Sequence, residues 1–143
     1  MAVTVVFYNP YKLKLLDGSA IDHDNDTFKM ALASSSYTPN IDTHDFFDDI
    51  TNEVAGTGYT AGGATLTNPA ASQDSVNDRS EWDFDDVTWS TATITARYAI
   101  IYKSTGTDST SPLIGYIDFG ADQGVVGVDL KIALNAEGFL ALT

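Results

Sequence analysis

No cysteine occurs in the 143 residues. Disulfides, thiolate nucleophiles and thiolate metal ligands are therefore excluded together, and stability must come from a core, from oligomerisation or from docking on a partner. Basic side chains are also scarce: seven Lys and Arg face 20 Asp and Glu, for a formal net charge of -13. Such a surface repels phosphate backbones and anionic lipid, so neither nucleic acid nor a membrane is an expected direct partner. No apolar run is long enough for a transmembrane helix. The apolar start, residues 1–8, has no basic flank ahead of it and no small-residue cleavage site, and does not read as a secretory signal.

What is present is an ordinary globular composition, 43% apolar, in a chain of about one domain's length. The strongest local pattern spans residues 92–102. Ala92, Ile94, Ala96, Tyr98, Ile100 and Tyr102 alternate with Thr91, Thr93, Thr95 and Arg97, which predicts a strand with one buried face. Weaker alternation predicts strands at 11–15 (Tyr11, Leu13, Leu15 against two lysines), 27–32, 64–67, 113–119, 128–134 and 139–142. Trp82 and Phe84 share a phase that Val87 and Trp89 do not, which predicts a bulge or turn at Asp85-Asp86. Loops are expected at 17–26, 56–63 and 103–111, a loop or an irregular strand at 68–79, and a turn at 135–138. One segment has helical spacing: Phe46, Phe47, Ile50 and Val54 lie three and four apart, with Asp42 or Thr43 able to cap the start and Gly56 to stop it. The expected architecture is mainly β, a single β-sandwich or jelly-roll-like domain over 1–143 with one short helix, and residues 1–10 free to act as an N-terminal arm. Phe28, Met30, Phe46, Ile50, Ile94, Tyr98, Ile100, Ile117, Leu130 and Ile132 are the expected core.

No arrangement of residues amounts to a catalytic site. Asp22, Asp24 and Asp26 begin like a calcium loop, but the sixth and twelfth positions hold Thr27 and Ala33 instead of Gly and Glu. His23 and His44 are the only histidines, each beside carboxylates and neither in a nucleophile or metal motif. Asp83, Asp85 and Asp86 flank Trp82, Phe84 and Trp89, a grouping that can bind or cleave sugars but more often marks core aromatics beside solvated carboxylates. The glycines at 56–63 follow a predicted helix and lack a lysine, the reverse of a phosphate-binding loop. The chain is therefore expected to be non-enzymatic, with no cofactor and no metal.

The segments DTFKMAL (26–32), SYTPN (36–40), HDFFDDITNEV (44–54), GTGYTAGG (56–63), TARYAIIYK (95–103) and SPLIGYIDFG (111–120) resemble a family of small virion-associated structural proteins of tailed bacteriophages. The resemblance covers residues 26 to 120. It implies a capsid decoration or cement protein that binds the major capsid protein on the outside of the head after assembly in the host cytoplasm. A symmetric trimer or dimer would suit repeated sites on a shell. The alternatives are a tail or fibre component that contacts host-surface glycans, and a carbohydrate-binding β-sandwich module. Val5, Val6, Phe7, Tyr8 and Tyr11, outside the matched stretch and rich in aromatics, are the candidate partner interface.

Overall fold

The alternation at 92–102 is one part of a much longer strand. The computed structural model describes residues 3–19, 21–135 and 138–143. In it, β6 (Val87–Lys103) and β7 (Leu113–Ile132) form a long antiparallel pair, against a usual strand length of about five or six residues. Around this pair are β1 (Thr4–Phe7), β2 (Phe28–Ala33) and β3 (Ala64–Thr65), giving a five-stranded antiparallel sheet in the order β1-β7-β6-β2-β3. A second, three-stranded sheet has the order β4-β5-β8, with β4 at Ala70–Asp74, β5 at Arg79–Asp83 and β8 at Leu140–Leu142. Among the described residues one α-helix, α1 (Asn9–Leu16), completes a mainly β architecture consistent with a small β-sandwich.

Register assigns the two faces of the large sheet, because residues directly opposite each other in antiparallel strands point the same way. Met30 pairs with Ile101, Leu32 with Ala99, Ala99 with Ile117, and Val5 with Ile117. This face meets the small sheet through aromatic contacts: Phe28 lies edge-on to Trp82 at 4.8 Å between centroids, and Phe7 edge-on to Phe139 at 5.2 Å. The opposite face carries Tyr98, Ile100, Tyr102 and Tyr116. It is covered by the irregular segment 37–54, where Tyr37 meets Tyr98 edge-on and Phe47 stacks on Tyr102 at 4.1 Å. Covering both faces explains why Ala99 and Ile101 are as buried as Ile100, whereas alternation alone predicted one wet face.

The apparent phase break at Asp85-Asp86 is where the chain leaves one sheet for the other. Trp82 in β5 and Val87 and Trp89 in β6 are all buried, in different layers. The glycine-rich stretch 56–63 is pressed against β6 and β2. A Cβ on Gly56 would come within 2.3 Å of the Thr93 carbonyl oxygen, and one on Gly63 within 2.0 Å of that of Met30. Glu53 fastens this stretch by accepting from the Tyr59 hydroxyl and the Gly62 amide, both at 2.6 Å.

Two secondary-structure expectations are corrected. Residues 11–15 are helical, not extended. Asn9-Pro10 starts α1, with proline in its first turn where its missing N–H costs nothing, and only Tyr11 of the helix is buried. Residues 43–54 hold only a short 3-10 turn, Phe47–Asp49. The Asp49 carboxylate accepts from the Asp45 and Phe46 amides, Phe46 bridges to Pro112, and the Val54 amide donates to Leu32. These bonds hold the backbone in separate short links to neighbouring strands, which a continuous helix could not make. Phe46 and Ile50 are consequently half-buried, as is Leu130; the other expected core residues are buried. Of the two readings of residues 68–79, loop or irregular strand, the structure has the strand: they contain β4 and its turn into β5. Of the expected turn at 135–138, residues 136 and 137 lie outside the described residues.

Candidate partner interface

The residues singled out at the N-terminus separate into two groups. Thr4–Phe7 of the expected arm pairs with β7, Thr4 opposite Asp118 and Phe7 opposite Gly115, as one edge of the large sheet. Residues 1 and 2 lie outside the described residues. Val5 is exposed, and Val6 and Phe7 are half-buried against the core. Tyr8 and Tyr11 are fully inside. The Tyr8 and Tyr37 hydroxyls share a hydrogen bond of 2.9 Å, and Tyr37 also bonds His44 Nδ1 at 2.9 Å. Burial pushes the Tyr8 hydroxyl far above the ordinary tyrosine range and raises Tyr37 to about 12. Tyr11 bonds His23 Nε2 at 2.8 Å. Both tyrosines therefore stitch the interior, and only Val5, with parts of Val6 and Phe7, faces outward.

The other sequence candidates are also occupied structurally. His23 stacks on Phe28 and meets Trp82 edge-on, and burial lowers its pKa despite three nearby aspartates. Asp22 accepts from the amides of Asp24 and Asn25, Asp24 from that of Ala71, and Asp26 pairs with Lys103. Among the described residues, no group of three or more His, Asp or Glu is placed to hold a metal ion. Trp82 and Trp89 are buried, so neither offers a ring face to a sugar. The Trp82 indole N–H donates to the His23 carbonyl.

The feature the sequence reading missed lies on β7. Beyond Asp118, no strand among the described residues pairs with its outer edge, although its inner edge stays bonded to β6 down to Ile132. An open cleft of about 600 Å³ lies beside this edge, with Val5, Ile117, Phe119, Leu130, Ile132 and Leu134 in its walls. Phe119 and Leu130 would stand roughly 35 Å apart on a straight strand at about 3.3 Å per residue. Both reach one small cleft, so β7 must curl. Its pairing with β6 shifts register between Ala96 and Tyr98 and again around Ala92, and Gly120 and Gly127 adopt φ of 79° and 64°. Such bulges are the usual means of bending a sheet. Val126 and Val128 of this strand are 81% and 55% exposed.

The electrostatic setting is acidic. Lys14, Arg79, Arg97, Lys103 and Lys131 are all held in ion pairs with carboxylates, which leaves most of the acidic surplus uncompensated. Residues 119–128 add little to it, carrying Asp122 as their single charge. A curled strand edge with an apolar cleft and little charge can bind an extended chain through backbone hydrogen bonds. The sequence carries a trace of it as a long run, 119–130, free of proline and lysine, but such a run does not by itself mark a strand edge. Compared with protein-family models, curated proteins and solved structures, the chain matches none.

Proposed function

We propose that the protein is a non-enzymatic virion structural component of a tailed phage, a capsid decoration or cement protein that binds the major capsid protein on the outside of the head. The observation that carries this reading is the outer edge of β7, which no strand among the described residues pairs beyond Asp118, with its apolar cleft, a surface suited to another polypeptide. The resemblance of residues 26–120 to virion-associated proteins supplies the setting. The charge of -13 fits the same role, since mutual repulsion keeps many copies dispersed until they meet the shell. Binding as a symmetric dimer or trimer would match repeated sites on that shell.

The test is binding of the purified protein to preassembled capsids that lack it, followed by measurement of their resistance to rupture. A ligand that binds only the intact shell stabilises it by mass action, so decorated capsids should withstand more heat or pressure. Copy number then separates locations. Hundreds of copies per virion place the protein on the head, whereas labelling confined to one tail tip would replace this proposal with a tail or fibre component.

A further inference from the structure

We infer that the outer edge of β7, from Phe119 to Lys131, is a docking rail for an extended segment of a partner protein, which continues the large sheet where β1 stops. The inference goes beyond the capsid reading, because it specifies how a partner is held whatever structure supplies it. β1 satisfies only the stretch from Gly115 to Asp118, so the backbone beyond it has no strand partner on its outer edge among the described residues, although the Gly120 and Gly127 amides donate to the Asp118 and Thr93 side chains. Natural sheet edges are usually shortened or guarded by proline, lysine or bulges; 119–130 contains no proline or lysine, Lys131 stands only at its far end, and the bulges in its pairing with β6 bend the edge without covering it. The cleft beside the edge would take alternate apolar side chains of an added strand against Phe119, Leu130 and Ile132.

Charge decides the occupant. A second copy would bring two surfaces of -13 together. An antiparallel pairing of β7 with itself, centred between Val125 and Val126, would also set Asp122 directly opposite Asp129, and like charges in register are destabilising. Asp122 makes no hydrogen bond or ion pair among the described residues, although it lies in the field of Arg97. The fitting occupant is a segment of a different protein, extended, apolar at alternate positions, and bearing Lys or Arg where it passes Asp122.

Hydrogen–deuterium exchange on the full-length protein tests this. The probe is a synthetic peptide of about ten residues, alternating valine and threonine with a central lysine, a length that spans the open edge. At saturating peptide, amides within 120–130 should exchange at least about tenfold more slowly while those of α1 are unchanged, the pattern expected of a newly paired strand. A control peptide with prolines at alternate positions should give no protection. Asp122→Lys, an exposed change whose fold is checked by circular dichroism, should weaken the lysine peptide several-fold. Absence of protection up to millimolar peptide overturns the inference. So does protection that appears with rising protein concentration alone, which would make a second copy the occupant. Capsid binding is scored in its own experiment, so failure of the capsid reading and failure of the docking rail are separately visible.

Discussion

Gly63→Ala should be among the most damaging single-methyl additions available in this chain. The new Cβ would lie 2.0 Å from the Met30 carbonyl oxygen, 2.5 Å from its carbon and 2.6 Å from the Ala31 Cα. All three atoms are backbone of β2, which is bonded on one side to β3 and on the other to β6, so none can move without disturbing two ladders. Overpacking of this kind costs about 1–3 kcal/mol. A φ of +82° adds the penalty of a Cβ in the left-handed region, about 1–2 kcal/mol. The combined loss is roughly 2–5 kcal/mol, against a total stability on the order of 5–15 kcal/mol for a domain. Gly106 supplies the control. Its φ is +88° and nothing lies within 4 Å of its Cβ direction, so Gly106→Ala pays the conformational term alone. Urea denaturation followed by circular dichroism should separate the two variants by roughly 1–3 kcal/mol, the overpacking part. A separation within about 0.5 kcal/mol, the range of ordinary surface changes, would show that the glycine turn is not pressed on β2.

Ile100→Ala, in the middle of β6 and wholly buried, should cost about 2–5 kcal/mol in the same assay; a surface-sized loss would mean the layers around β6 are wrongly assigned. Thr91 holds a φ of +47° at the β6 bulge, where its amide donates to Asp129. Because Asn tolerates that region and a β-branched residue does not, Thr91→Asn should raise the unfolding free energy by about 0.5–1 kcal/mol, and a loss would refute the strained bulge. His23 has a pKa lowered by burial, so below about 6.5 the unfolded chain takes up a proton that the folded one resists. Stability should therefore fall as pH drops from 7 through that value, and His23→Gln should flatten this part of the thermal-melt profile; an unchanged slope would remove His23 as its source.

The strands were legible where one residue type dominated one face, as at 92–102 and 28–32. The sheet switch at Asp85-Asp86 was legible for the same reason, as an abrupt change of phase. The helix was misplaced because period alone cannot tell a five-residue alternation from a turn of helix. Tyr11, Leu13 and Leu15 alternate, but Leu13 and Leu16 project into solvent, and the decisive signal was Pro10 after Asn9. At 43–54 the helical spacing of four apolar residues arose from separate anchor points: Phe47 on Tyr102, Val54 beside Leu32, and Phe46 at Pro112. Such spacing records where side chains must reach, and a non-helical path can satisfy it. The candidate interface was hidden for a different reason. An unpaired edge is a property of strand order, and strand order depends on long-range pairing that local pattern does not encode.

The pairing of β1 with β7 also sets a timetable for synthesis. Thr4–Phe7 is among the first described segments to leave the ribosome, yet its partners, Gly115–Asp118, are made more than a hundred residues later. At about 5–20 residues per second, the strand waits several seconds or more with Val5, Val6 and Phe7 unsheltered. Central strands can begin earlier, since β6 and β7 are joined by a short loop while β1 must close a very long one. A ribosome-stalled chain ending before residue 113 should hold its N-terminal segment open to protease, and one extended well past 132 should bury it.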